Sequence, residues 1–188
     1  MSCGETLGAN LEEDIVLMFL DISRAHPHCP IHREVCTELP TEHPAAKDKT
    51  RCGLLMMTLY GCRDAGSNFE LFVFEILSEA GCVRGLTSSC VYFQKNRGVR
   101  LFHWGDDFVL LGKRSQCSWI SDQLGKKLIV KTRGTLGPRK GDLREISILH
   151  EHLPGSPGGE KITYCADPRH GEALRIQCGM DAPLRSLR

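Results

Sequence analysis

The chain has 188 residues, 41% hydrophobic and 25% charged, with a formal charge of +1 and a mean hydropathy of −0.22. That length fits one globular unit or part of a larger one, and the composition excludes wholesale disorder. The longest apolar run, Ile15 to Leu20, is far below the roughly 18 residues of a membrane span, and Met1 to Glu5 has neither region of a secretory signal, so the expectation is an intracellular protein, cytoplasmic or nuclear, with no membrane partner.

Ile15 to Leu20 combines β-branched and aromatic side chains and stops at Asp21, which predicts a buried strand with a carboxylate at its end. Residues 26–50 contain Pro27, Pro30, Pro40 and Pro44 and predict an irregular excursion with a short hairpin through Glu34 to Leu39. Cys52 to Tyr60 is apolar again. From Phe69, the positions Phe72, Val73, Ile76, Leu77 and Ala80 keep helical spacing, and Gly81 stands where a helix ends.

Val91 to Phe93 and Val99 to Trp104 read as strands, as does Phe108 to Leu111, and Gly105-Asp106-Asp107 between the last two reads as a hairpin turn. Trp119, Ile120, Gln123, Leu124 and Leu128 predict a second helix starting near Ser115 or Ser118, whose hydroxyl caps it. Ile129 to Lys131 begins a strand. Glu145 to Leu153 reads as another, with Pro154 to Gly159 as a turn, Lys161 to Cys165 as its partner, and a last helix from Asp167-Pro168 to Cys178. Strands and helices mixed in this order give an α+β class.

Ten cysteines stand at irregular spacings with no CxxC pair, which favours reduced, mostly buried thiols over a disulfide scaffold or a zinc ribbon. Charge is unevenly spread: residues 1–50 carry −5 and residues 113–144 carry +7. The basic stretch, with Lys126, Lys127, Lys131 and Arg133, suits a phosphate-tracking surface or a solvated helix face.

Asp106 and Asp107 repel one another between Trp104 and Phe108, a conflict that a cation removes, although Asp is also common in turns for local reasons. Magnesium prefers carboxylate and phosphate oxygens, and a two-metal site draws its carboxylates from separate strands; Asp21 is the third member available. His26, His28, Cys29, His32 and Cys36 are a second ligand cluster, for zinc, but Pro27 and Pro30 keep them off any regular element. Phosphate loops of the GxxxxGK[ST] type and GxSxG elbows are absent from the sequence.

Three segments together, Phe19-Leu20-Asp21-Ile22-Ser23-Arg24-Ala25, Leu59-Tyr60-Gly61-Cys62-Arg63-Asp64-Ala65 and Gly105-Asp106-Asp107 with Phe108 to Gly112, resemble successive motifs of the reverse transcriptase of copia-type retrotransposon polyproteins. The resemblance covers about residues 13–150. It implies a right-hand polymerase palm with an antiparallel sheet, packed helices and truncated fingers. Residues 151–180 then form a hairpin and helix of thumb or connection type, with 1–12 and 181–188 disordered.

The resemblance further implies an RNA-directed DNA polymerase using Mg2+, or Mn2+ in its place, with Asp21, Asp106 and Asp107 as catalytic metal ligands and the Ile22 carbonyl as an added ligand. Arg24, His26, Tyr60, Gly61 and Arg63 correspond to nucleotide contacts, while Lys126, Lys127, Lys131 and Arg133 are expected as nucleic-acid contacts from the basic charge of their stretch alone. The implied partners are an RNA template, a DNA primer, deoxynucleoside triphosphates, and the fingers and RNase H segments of a parent polyprotein.

The chain departs from the pattern in three places. His26 stands at the usual aromatic sugar gate, Asp64-Ala65-Gly66 replaces Gln-Ala-Pro, and Trp104-Gly105 replaces Tyr-Val before the Asp pair. Twenty residues before Asp21 leave no room for the fingers strands, so a polyprotein fragment is expected. The alternatives are an inert palm-fold remnant that only binds nucleic acid, and a zinc-binding interaction module.

Overall fold

The computed structural model describes residues 14–148 and 151–154. The described residues fall into two compact units, one of residues 18–133 and the other of residues 14–17 with 134–148 and 151–154. β1 (Ile15–Ser23) and β8 (Ile129–Leu136) run through the boundary.

Between them come β2 (Cys36–Thr37), β3 (Gly53–Leu54), α1 (Ala65–Glu79), β4 (Val83–Arg84), β5 (Val91–Gln94), β6 (Val99–Trp104), β7 (Asp107–Lys113) and α2 (Arg114–Gly125). The fold is α+β, with a six-stranded antiparallel sheet in the order β4-β5-β6-β7-β1-β8. Without the β4–β5 extension, the elements β1-α1-β6-β7-α2-β8 make two interleaved strand-helix-strand units, and β1 lies between β7 and β8. The first strand's carboxyl end is therefore set beside the β6–β7 turn, although some eighty residues of sequence separate them.

Strand periodicity decides what each face carries. Leu101 and His103 on β6 lie opposite Leu110 and Phe108 on β7, and all four are buried. Phe69, Val73, Ile76 and Leu77 of α1 and Cys117, Ile120 and Leu124 of α2 are also buried, so the helices give their apolar stripes to the core. Each large apolar side chain removed from water contributes roughly 1.5–3 kcal/mol. An exposed ion pair contributes about 0–1 kcal/mol, so this core, rather than the surface charges, holds the unit together. The alternate residues Arg100, Phe102 and Trp104 of β6 and Asp107, Val109 and Leu111 of β7 share the other, more open face.

α1 begins at Ala65, one turn before the first apolar position in the helical pattern, and Gly81 just beyond it takes φ +74°, the left-handed conformation that glycine adopts at a helix end. α2 begins at Arg114 after Lys113 and has no side-chain cap, so neither Ser115 nor Ser118 serves as its cap. The expected hairpin through Glu34 to Leu39 does not form; Cys36 and Thr37 pair instead with Leu54 and Gly53 across a long loop. Two-residue strands carry no periodicity from which to read them. Leu54, Met56, Met57, Leu59 and Tyr60 in the following apolar stretch are exposed.

In the second unit, Leu143 N–H donates to the Thr135 carbonyl at 2.9 Å, and Arg139 pairs with Asp14 at 2.8 Å. β9 (Glu145–Ile148) pairs antiparallel with β10 (Glu151–Pro154). The single strand expected from Glu145 to Leu153 is thus a hairpin of its own. Its expected partner Lys161 to Cys165 and the last helix lie outside the described residues. No helix among the described residues is long and apolar enough to cross a membrane.

Candidate functional site

The β6–β7 connection is a two-residue turn, with Trp104 paired to Asp107 and Gly105-Asp106 between them. Gly105 takes φ +58°, the first-position conformation that a type II′ hairpin turn requires and that glycine adopts without strain. Asp106 is exposed at the tip, and its carbonyl accepts the Ile22 N–H at 2.9 Å, which ties the end of β1 to the turn. Asp21 and Asp107 are both half-buried.

Arg133 on β8 joins them. Its Nη1 donates to Asp107 Oδ1 at 2.9 Å, and its Nε lies 3.8 Å from Asp21 Oδ1. Partial burial raises the Asp107 carboxyl above the usual carboxylate range; Arg133 opposes this, and the neighbouring charges of Asp106 and Asp21 add to it. Three carboxyl groups therefore share one electrostatic neighbourhood, and the Arg133 guanidinium pairs with two of them. Among the described residues, no three His, Cys, Asp or Glu side chains converge closely enough to hold a metal ion.

A second cluster surrounds the start of α1. Arg24 closes β1 with φ +55°, a left-handed conformation that costs a non-glycine residue roughly 1–2 kcal/mol. A 3-10 turn, His26–His28, follows at once, with His28 Nε2 3.2 Å from the Ser23 carbonyl. This turn brings the His26 ring edge-on to Tyr60, centroids 4.8 Å apart, with Phe69 behind at 6.0 Å. The buried His26 Nδ1 has no hydrogen-bond partner among the described residues, and Tyr60 is 64% exposed.

The loop that carries Tyr60 is pinned from both sides. Thr58 N–H donates to the Cys29 carbonyl at 2.8 Å, Asn68 Nδ2 donates to Thr58 Oγ1 at 3.0 Å, and Arg33 makes a two-point contact with Asp64 at 3.0 and 3.1 Å. Arg33 holds the Asp64 carboxyl below the usual carboxylate range. Gly61 takes φ +93° next to Tyr60, and Arg63 is exposed.

The remaining sequence candidates separate. Lys127 pairs with Glu79 at 2.8 Å, Lys126 donates to Gln123 at 2.6 Å, Lys131 is exposed on β8, and Arg133 is held by the carboxylates. Of the zinc candidates, Cys29 is buried with its thiol toward the Ala25 carbonyl, whereas His32 and Cys36 are exposed. Burial pushes the Cys29 and Cys82 thiols up to about 11 and Cys117 up to about 12, so they stay protonated and act as small apolar groups. Seven cysteines of the described residues are free.

Neither a protein-family model nor a curated protein matches the sequence.

Proposed function

We propose that the chain is the palm region of a copia-type reverse transcriptase, an RNA-directed DNA polymerase fragment whose chemistry is two-metal nucleotidyl transfer. One observation carries the reading: carboxylates from two non-consecutive strands, Asp21 and Asp107, already share a cationic group, Arg133, beside a third carboxylate at Asp106. The interleaved order β1-α1-β6-β7-α2-β8 supports the palm assignment, since it is what brings the end of β1 to the β6–β7 turn.

The chemistry of the donors suits magnesium, since they are hard carboxylate oxygens from the end of β1 and from the β6–β7 turn; they do not converge as the side chains stand, and Asp21, Asp106 and Asp107 would hold the ion once turned toward one another, with the Ile22 carbonyl as the added ligand. When bound, the metal lowers the pKa of the attacking primer hydroxyl and neutralises charge on the triphosphate. The protein's own residues orient the reactants. His26 and Tyr60 offer an aromatic edge and face to the incoming nucleotide, Gly61 lets backbone approach it, and Arg24 and Arg63 supply positive charge for its phosphates. RNA template and DNA primer lie across the open face beside Trp104, with Lys131, two residues from Arg133 and so on the same face of β8, as the basic group beside it.

Arg133 also favours a second reading. A guanidinium already seated on Asp107 reduces the electrostatic need for a divalent ion, and a palm in that state binds nucleic acid without extending it. Primer extension on a primed RNA template with magnesium separates the two, using the chain and its Asp106→Asn variant. Extension that disappears in the variant supports the polymerase. No extension by the folded parent chain, together with salt-sensitive binding of the same template, supports the binding remnant.

A further inference from the structure

At the end of the β6–β7 hairpin away from the Asp pair lies a cavity of about 620 Å3 lined by Gln94, Asn96, Arg97, Lys113, Gln116 and Trp119. The five residue steps of β6 from Val99 to Trp104 set it roughly 17 Å from the carboxylate turn, at about 3.4 Å per residue. It is thus a separate place on the molecule, and the polymerase reading leaves it unused.

Its central feature is Arg97. The guanidinium carbon lies 3.6 Å from the centroid of the Trp119 ring, and Nη1 donates to Gln116 Oε1 at 2.6 Å. The backbone beneath is fixed as well, since Arg97 N–H donates to Gln94 Oε1 at 2.9 Å and Gly98 closes the turn with φ +64°. Both side-chain contacts are with neutral groups, an amide oxygen and an indole face, and among the described residues no carboxylate pairs with Arg97. The first turn of α2, on the cavity's far wall, holds no acidic residue.

A guanidinium stacked on indole has its plane and its remaining N–H groups fixed in advance, so a ligand that binds it loses little side-chain entropy. Indole contact leaves the charge in place while reducing hydration on one face. The cavity is also within the size range of small-ligand sites. The geometry points to an anion-binding site for a phosphate group, which accepts two parallel N–H bonds from Arg97 and further bonds from the Asn96 amide. A strand phosphodiester and a free phosphorylated small molecule both present that chemistry.

Trp119 makes the site observable, because the chain has only one other tryptophan, Trp104. In a Trp104→Phe background, inorganic phosphate titrated at constant ionic strength should give a saturable change in Trp119 fluorescence, with chloride giving none. Arg97→Met should weaken that response by roughly tenfold or abolish it, as expected for loss of a charge-assisted pair, while circular dichroism stays unchanged. Gln116→Leu, which releases the tether and keeps the charge, should weaken it less. A single-stranded oligonucleotide that binds at lower concentration than phosphate identifies the strand as the source; equal affinity identifies a small phosphorylated ligand. Absence of a saturable response in the folded chain, or an identical response in Arg97→Met, overturns the proposal.

Discussion

Arg133 Nη1 donates to Asp107 Oδ1 at 2.9 Å, joining the strand that ends the 18–133 unit to the first residue after the β6–β7 turn. The same guanidinium reaches Asp21 on β1, so one side chain brings charge balance to carboxylates from two other strands. The local electrostatics of the site depend on this arrangement.

The Asp107 carboxyl already titrates above the usual carboxylate range because partial burial outweighs the attraction of Arg133. A raised folded-state pKa makes the charged form a cost at neutral pH, and stability from this group falls as pH rises through the window between the ordinary and the raised values. Arg133→Met should raise the Asp107 pKa further and deepen that loss. Carbon-detected NMR titration of the Asp107 carboxyl in both proteins checks it; an unchanged or lowered value in the variant contradicts the pairing.

His103 is 1% exposed, stacks on Phe108 with centroids 5.1 Å apart, and has its pKa lowered chiefly by burial, with Glu70 opposing and Arg84 assisting. A depressed histidine pKa means the unfolded chain binds the proton more readily. Its contribution to stability is complete above the unfolded value near 6.5 and is lost as pH falls below it. His103→Leu, close in volume, should flatten the fall in thermal midpoint as pH drops below about 6.5. If parent and variant lose stability in parallel over that range, the decline belongs to other groups.

Gly105 has open space where a Cβ would lie, so its φ of +58° is its one constraint. Gly105→Ala should therefore cost about 1–2 kcal/mol through backbone strain alone. Urea melts give the value directly. A loss much above that range would show that the turn tolerates no side chain for a reason other than φ.

Phe69 is 2% exposed and supports His26 from behind. Phe69→Ala should destabilise the fold by about 3–5 kcal/mol. Tyr60→Ala, at an exposed position, should leave the thermal midpoint nearly unchanged and weaken deoxynucleoside triphosphate binding. Equilibrium binding of a fluorescent triphosphate, measured beside the melts, distinguishes the two kinds of loss. A Tyr60 variant that melts early but binds as before would reverse the assignment.

The parts readable from sequence were those with a period or a strong punctuation. β1, the β6–β7 hairpin and both helices follow from apolar spacing, and Gly81 and Gly105 mark an end and a turn through their backbone freedom. The pairing of Cys36 with Leu54 has no such signal, since two residues cannot display alternation. Arg133 is the instructive case. Counted along the chain it belongs to a basic stretch, but sheet order sets β8 next to β1, and its charge is directed to Asp21 and Asp107 rather than displayed for phosphate. The Arg97–Trp119 stack was invisible for a similar reason: its partners come from the turn before β6 and from α2, and only the fold brings them together.

The central claim is that Asp21, Asp106 and Asp107 form a divalent-cation site for nucleotidyl transfer. Electron paramagnetic resonance of Mn2+ with the chain, its Asp21→Asn variant and its Arg133→Met variant tests it most directly. The account predicts bound Mn2+ in the parent chain, loss of that binding in Asp21→Asn, and tighter binding in Arg133→Met, where the competing cation is gone. Folded parent protein and Arg133→Met that both leave Mn2+ free, or binding that Asp21→Asn does not alter, would contradict it.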